Sequence, residues 1–317
     1  MMNILANDGL AQAGTNLLEK AGFEIKTTRV AQEQLANYIN KNQIDVLLIR
    51  STTKVDKKVI DDCPNLKLIG RGGVGMDNIE VKYAESKGIK VFNTPQASSG
   101  SVAELVFAHL LNGIRFLHDA NRNMPLEGDS QFNQLKRSYA SGIELRGKTL
   151  GIIGFGRIGQ ATAKMALSLG MDVLFTDNHL EETTLTLSFY DGQTINFDLK
   201  RSELKEVLSN SDFVSLHVPS QEKYLIGKTE LGLMKPGSGI INTSRGGVLD
   251  EVALIEALES DHLSFAGLDV FESEPTPEIK ILMNPKISLS PHVGGSTIEA
   301  QERIGIELAK KVIKLLK

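Results

Sequence analysis

Gly154-Phe155-Gly156-Arg157-Ile158-Gly159 is the stretch that decides how this chain folds, because of what flanks it. Upstream, Thr149-Leu150-Gly151-Ile152-Ile153 reads as a short buried strand, and residues 160–169 downstream read as a helix. A second strand over residues 171–176 then ends at Asp177, 18 positions after the last glycine. A glycine-rich turn alone says little. Between a strand and a helix, with an acidic residue at that distance, it is a dinucleotide-binding fingerprint. Its glycines allow a tight turn, a close approach of backbone to pyrophosphate, and close helix–strand packing. The helix N-terminus adds free N–H groups and the positive end of a dipole. Gly154, Gly156, Arg157, Ile158 and Gly159 are therefore candidate cofactor-binding residues. Asp177 accepts hydrogen bonds from ribose hydroxyls and repels a 2′-phosphate, and nothing basic follows it in Asn178-His179-Leu180. NAD is the expected cofactor.

The rest of the chain is consistent with a parallel α/β protein. Strand-like runs near residues 2–6, 24–28, 46–50, 67–70 and 90–92 alternate with helical stretches such as 9–21 and 32–40. The loop from Pro95 to Gly100 changes the composition and suggests a hinge. Ser101-Val102-Ala103-Glu104 has the pattern of a capping box opening an apolar helix towards Asn121. No strand pattern follows between Asn123 and Arg146, and a second α/β lobe begins at Lys148. Within it, Leu185, Leu187 and Phe189 alternate with polar residues, as do Ile195, Phe197 and Leu199, with Asp191-Gly192 between: a hairpin signal.

At 317 residues the chain is long enough for two domains with their own cores. A formal charge of −4 and a pI near 5.9 argue against nucleic acid or an anionic membrane as main partner. One cysteine, Cys63, excludes an internal disulfide and suits a reducing compartment. Met1-Met2-Asn3-Ile4-Leu5 opens directly into a strand pattern, so no signal peptide is expected, and no apolar run reaches the roughly 18 residues of a membrane helix. The expected location is the cytoplasm.

Three strand-like runs of the second lobe end in polar residues, where open α/β sheets bind ligands. Ile240-Ile241 leads into Asn242-Thr243-Ser244-Arg245-Gly246-Gly247. Phe265-Ala266-Gly267-Leu268 leads into Asp269-Val270-Phe271-Glu272-Ser273-Glu274-Pro275. Ile287-Ser288-Leu289-Ser290 leads into Pro291-His292-Val293-Gly294-Gly295. An arginine, a carboxylate and a histidine thus follow three successive strand-like runs, and the family resemblance set out below implies that they serve the oxidation of a secondary alcohol beside NAD. Histidine, titrating near neutrality, takes the hydroxyl proton and returns it in reverse. A carboxylate orients the imidazole, the role expected of Glu274. An arginine fork holds the substrate carboxylate and polarises the reacting oxygen, which suits Arg245. No metal is needed. His109 and His118 lie on the apolar helix and read as packing or interface residues.

Over essentially its whole length the chain resembles the D-isomer-specific 2-hydroxyacid dehydrogenases. The motifs that carry the resemblance are Gly154 to Gly159 with Asp177, Asn242-Thr243-Ser244-Arg245-Gly246, Leu268-Asp269-Val270-Phe271 with Glu274-Pro275, and Ser290-Pro291-His292. The resemblance implies two Rossmann-like lobes with the active site in the cleft between them. It assigns residues 1–98, completed by a C-terminal helix within 291–317, to substrate binding. Residues 99–290 would bind NAD and carry a dimerisation arm at about 101–146, implying a homodimer. It also implies that Arg245, Glu274 and His292 are catalytic. His217, Val218, Pro219 and Thr243 would line the cofactor pocket, and Asp269 would contact the nicotinamide carboxamide.

Within the family, Arg50-Ser51-Thr52-Thr53-Lys54, Gly70 to Ile79, and Asn93-Thr94-Pro95 leading to Ser101–Leu105 look most like D-3-phosphoglycerate dehydrogenase. The expected substrate is then a phosphorylated 2-hydroxy acid, D-3-phosphoglycerate, oxidised to 3-phosphohydroxypyruvate in the first step towards serine. Free N–H groups at Val74 and Gly75 would cradle the carboxylate. Arg50, with Ser51 beside it, is the natural phosphate ligand, and Lys136-Arg137 would add charge from a neighbouring subunit. The alternative keeps the chemistry and changes the acid, to glyoxylate, hydroxypyruvate or D-lactate. A remote alternative is an NAD-sensing binding protein on the same fold. The larger phosphoglycerate dehydrogenases carry C-terminal regulatory domains. This sequence ends about 25 residues after His292, so serine feedback through such a domain is not expected.

Overall fold

The computed structural model describes residues 2–316. Cα packing divides them into two compact units, residues 2–99 with 295–316, and residues 100–294. In chain order the strands are β1 (Asn3–Ala6), β2 (Glu24–Lys26), β3 (Ile44–Ile49), β4 (Leu68–Arg71), β5 (Lys90–Asn93), β6 (Thr149–Ile153), β7 (Asp172–Thr176), β8 (Glu182–Ser188), β9 (Thr194–Lys200), β10 (Phe213–Leu216), β11 (Ser238–Asn242), β12 (Leu263–Leu268) and β13 (Ile287–Leu289).

The first unit is a five-stranded parallel sheet in the order β2-β1-β3-β4-β5. Its central strands are continuous apolar runs, as expected of strands covered on both faces. Ile4, Val46 and Leu48 face one layer, and Leu5, Leu47 and Ile49 the other. The C-terminal helix Ile298–Leu316 belongs to this unit. Its buried Ile304, Leu308, Ala309 and Val312 close one core, and it lies directly on helix Gln12–Lys20. The contact depends on two glycines: a Cβ on Gly14 would sit 2.5 Å from the Gly305 carbonyl oxygen.

The second unit holds a six-stranded parallel sheet, β13-β12-β11-β10-β6-β7. The expected α/β class with two Rossmann-like parallel sheets is therefore the observed one. Three details differ from the sequence reading. The apolar helix begins at Ser99, not Ser101, and spans Ser99–Ile114. Ser101 lies inside it and donates its hydroxyl to the Gly294 carbonyl (2.6 Å) instead of capping. The helix also stops short of Asn121, because Phe116 takes a left-handed conformation (φ 55°) before a new helix, Leu117–Glu127. Finally, β8 and β9 form the hairpin, paired from Glu182↔Lys200 to Ser188↔Thr194. Its loop is three residues, Tyr190-Asp191-Gly192, with left-handed Gly192 (φ 87°) last, rather than a two-residue Asp-Gly turn. No described helix is long and apolar enough to cross a membrane.

Candidate active site

The second sheet is built so that its functional loops leave from one line. Thr176 pairs with Ile153, Ile153 with Leu216, Leu216 with Asn242, Asn242 with Leu268, and Leu268 with Leu289. The residues that follow this row are Asp177, Gly154, His217, Thr243, Asp269 and Ser290. All strands run parallel, so these residues share the C-terminal edge. The chain order reverses between β6 and β10, the crevice where such sheets take their ligands.

At that crevice the glycines behave as the fingerprint requires. Gly154 has φ 91°, and a Cβ there would lie 2.5 Å from the His217 carbonyl oxygen. A Cβ on Gly159 would come within 2.2 Å of the Gly154 carbonyl oxygen, so only glycine lets the helix start this close to β6. Gly156 faces open space. It caps helix Arg157–Ser168 without a side-chain hydrogen bond, which leaves the first N–H groups for an anion. Asp177 accepts from Phe155 N–H (2.6 Å) and His179 N–H (2.8 Å). One bond falls on each carboxylate oxygen, so each keeps a lone pair for a ribose hydroxyl. Thr243 is buried at the same edge, and its hydroxyl has no hydrogen-bond partner among the described residues. An uncapped helix, a cradle that side chains would fill and an orphaned hydroxyl fit a dinucleotide. His217 is part-buried and shares a hydrogen bond with the Ser215 hydroxyl (2.9 Å); burial pushes its imidazole well below the ordinary histidine value, so it is neutral. Val218 and Pro219 follow it.

Two loops further along, His292 Nδ1 meets Glu274 Oε2 at 2.9 Å. The other carboxylate oxygen of Glu274 accepts Phe271 N–H (3.0 Å). With Nδ1 so engaged, Nε2 is the ring nitrogen left for chemistry, and both side chains remain more than a third exposed. His292 itself is held in a left-handed conformation (φ 55°), uncommon for a residue with a side chain. Asp269 supplies the restraint. Its carboxylate, 1% exposed, accepts from the Ser290 hydroxyl (2.6 Å), Val293 N–H (2.8 Å) and Gly294 N–H (2.9 Å), on both sides of His292. Arg245 leaves a turn built by Asn242: its Oδ1 accepts Ser244 N–H and hydroxyl, and its Nδ2 donates to the Arg245 carbonyl (2.8 Å). The Arg245 guanidinium donates in turn to the Ser244 carbonyl (2.6 Å).

Asn242 was not singled out from the sequence. An asparagine at a strand end with a serine two residues on is an Asx-turn pattern, and that signal was available. Ser290 and Ser101, which grip the same loop from either side, carried no such signal.

The residues expected to bind substrate lie mainly in the first unit. Arg50 follows β3, and its N–H donates to Asp8 Oδ2 (2.7 Å), which also accepts Thr53 N–H. Asp8, Gly9, Arg50 and Gln301 line a cavity of about 250 Å³, and no hydrogen bond of the Arg50 guanidinium occurs among the described residues. Ser51 is exposed. Val74 and Gly75 form a loop after β4 whose two N–H groups have no hydrogen-bond partner among the described residues. Asn93 Nδ2 holds that loop through the Val74 carbonyl (2.5 Å). Arg137, with Lys136, is exposed on helix Phe132–Ser138 of the second unit.

Residues 107–294 match the family model "D-isomer specific 2-hydroxyacid dehydrogenase, NAD binding domain". The chain is 43% identical to a hydroxypyruvate reductase of Thermotoga maritima over 98% of this chain and 97% of that one. It is 38% identical to a D-3-phosphoglycerate dehydrogenase of Methanocaldococcus jannaschii over its whole length, which spans 58% of that relative. Among solved structures, the TT0316 protein from Thermus thermophilus superposes with a TM-score of 0.85 at 29% identity, over 99% of this chain and 97% of that one. With the fingerprint cradle, the NAD-binding match and these full-length identities together, the chain belongs to the D-isomer-specific 2-hydroxyacid dehydrogenase family and binds NAD.

Proposed function

We propose that this enzyme interconverts D-3-phosphoglycerate and 3-phosphohydroxypyruvate, with His292 as the acid/base. The observation that carries the reaction type is the Glu274–His292 pair: the 2.9 Å contact at Nδ1 fixes the tautomer and turns Nε2 outward. In oxidation Nε2 takes the hydroxyl proton, and Glu274 steadies the resulting imidazolium. Bound NAD supplies the hydride acceptor. Arg245 holds the substrate carboxylate; Val74 and Gly75, whose N–H groups have no partner among the described residues, are the proposed anion ligands of the first unit. Asp269 has the further role of meeting the nicotinamide carboxamide. Because Asp177 repels a 2′-phosphate, NAD is preferred to NADP.

The phosphorylated substrate rests on the guanidinium of Arg50 at the C-terminal end of β3, unpaired among the described residues and a cation awaiting an anion. Arg137 adds charge from a second subunit. Self-association is supported by Leu111, Leu117, Met124, Leu126 and Phe132, all exposed along the arm. A second reading, reduction of unphosphorylated hydroxypyruvate, is favoured by the 43% identity to a hydroxypyruvate reductase along both full lengths.

One experiment separates the two. NADH turnover is measured with 3-phosphohydroxypyruvate and with hydroxypyruvate, for the wild type and for Arg50→Ala. If phosphoglycerate is the substrate, the phosphorylated acid is preferred, and Arg50→Ala raises its KM far more than that of hydroxypyruvate. Equal effects remove Arg50 from the phosphate site. Preference for hydroxypyruvate establishes the second reading. His292→Ala should abolish turnover of either acid while NADH still binds, and persistence of turnover would refute its role.

A further inference from the structure

The loop that carries His292 is tied to a buried polar chain that begins on the helix Ser99–Ile114. His109 of that helix is 4% exposed, and both of its ring nitrogens are engaged. Nδ1 lies 2.8 Å from the Ser288 hydroxyl and Nε2 2.9 Å from the Ser290 hydroxyl. Ser288 and Ser290 stand two residues apart along β13 and its extension, so they face the same side and both reach the ring. A glycine makes room for it: a Cβ on Gly267 would sit 2.6 Å from the His109 Cβ. The site is shaped for this histidine.

The direction of every bond follows from the two ends. Asn112 Nδ2, a donor only, reaches the Ser288 oxygen at 2.7 Å, so the Ser288 hydrogen is free to point at His109 Nδ1. At the other end Ser290 gives its hydrogen to the Asp269 carboxylate (2.6 Å), so the Ser290 oxygen must accept from His109 Nε2–H. Nε2 thus carries a proton, and in the neutral ring Nδ1 accepts from the Ser288 hydroxyl. Burial, foremost, depresses its proton affinity, with the Asp269 charge opposing and His118 adding to the effect. Four hydrogen bonds run one way: Asn112 to Ser288 to His109 to Ser290 to Asp269. The last acceptor is the carboxylate that also holds Val293 N–H and Gly294 N–H on the far side of His292.

We propose that His109 is a positioning residue for the dehydrogenase reaction. By donating through Ser290 to Asp269 it fixes the carboxylate that keeps His292 in its left-handed backbone and on Glu274. This rests on the assignment of His292 as acid/base. His109 touches no reacting atom; it acts through two intermediaries, so its loss lowers turnover while the proposed pyrophosphate and ribose contacts, at Gly154–Gly159 and Asp177 after β6 and β7, stay in place.

The test compares His109→Gln, His109→Asn and His109→Leu in the full-length protein, with 3-phosphohydroxypyruvate and hydroxypyruvate as substrates and NADH fluorescence for cofactor binding. A glutamine places its amide nitrogen where His Nε2 stands and keeps the donor to Ser290. An asparagine reaches only the Nδ1 position. The Leu and Asn variants should lose about tenfold to 100-fold in kcat, with NADH affinity held, and Gln should recover most of it. Ser290→Ala, which cuts the next link and folds with less disturbance, should show the same loss, and adding it to His109→Leu should cost nothing more. The proposal is overturned if Gln and Asn are equally impaired, or if Ser290→Ala and His109→Leu keep kcat within about twofold while only melting changes. His292→Ala, run alongside, separates the two failures: activity surviving there would refute the acid/base assignment itself.

Discussion

Replacing Asp269 by asparagine should loosen the active-site loop by an amount that can be estimated from its contacts. The wild-type carboxylate accepts three hydrogen bonds at 1% exposure, two on Oδ1 and one on Oδ2. An asparagine with its oxygen at the Oδ1 position keeps Ser290 and Val293 as donors but presents an NH₂ to Gly294 N–H. The opposite rotamer loses two partners, so the first is favoured. One hydrogen bond to a charged acceptor is worth about 1.5–3 kcal/mol, and an unsatisfied buried N–H costs about 1–3 kcal/mol. Relief from burying a charge offsets part of this, leaving about 3 kcal/mol. At about 2–4 °C per kcal/mol for a unit of this size, melting of the cofactor-free protein should fall by roughly 6–12 °C. His292 is then no longer held in its left-handed backbone, and kcat should fall at least about 100-fold. Scanning calorimetry and steady-state turnover test both parts. A melting change under about 2 °C would refute the claim that this carboxylate holds the loop.

Gly159→Ala drives a methyl group against the Gly154 carbonyl oxygen, at 2.2 Å before relaxation. Displacing the turn should weaken NADH binding about tenfold to 100-fold, measured by fluorescence titration, with unchanged affinity as the contrary result. Cys63 is buried, and burial, with a lesser push from Asp62, raises its thiol to about 11. A maleimide at pH near 8 should leave the native protein unlabelled and label it fully in denaturant; rapid native labelling would count against the packing described. For Asp45, burial pushes the carboxyl up, but Lys67 (2.8 Å) and Asn3 N–H (2.9 Å) outweigh it and hold it below its ordinary value. A group lowered on folding stabilises above its unfolded value and loses that contribution as pH falls through the folded one. The melting difference between wild type and Asp45→Asn should therefore be largest near neutrality and shrink below pH about 4; a difference that is constant with pH would argue against the pairing.

The second sheet was legible because its signals are local. Gly154, Gly156 and Gly159 lie within one turn, and the strand, the helix and the position of Asp177 around them all point the same way. The pairing of Glu274 with His292 spans 18 residues and was inferable only from the chemistry that both loops imply. What could not be read is what distant segments share. Ser101 looked like a helix cap because its local pattern matches one, yet its hydroxyl is taken by Gly294, 193 residues away. His109 looked like a packing residue on an apolar face, and its partners Ser288 and Ser290 lie 179 and 181 residues on. The hairpin was visible from its alternation, but the loop length depends on the pairing of Ser188 with Thr194, which alternation does not fix. Phe116 breaks its helix by its left-handed backbone, and Asn112-Gly113 just upstream is the local signal of a stop that the apolar pattern around it outweighed.

The common row from which the six loops leave has a consequence for how such an enzyme can change. Each loop is attached to its own strand, and each strand is anchored by the register of its neighbours rather than by the loop it carries. Lengthening the segment after Thr176 changes the surroundings of Asp177 without moving the strand that carries the His292 loop. The hairpin β8–β9 is such an insertion, placed after Asp177, and the row beneath it is unbroken. The segment after β7 and the segment after β13 therefore stand on separate pieces of chain, whereas the loops after β12 and β13 are tied to each other through Asp269 and Glu274 and change together.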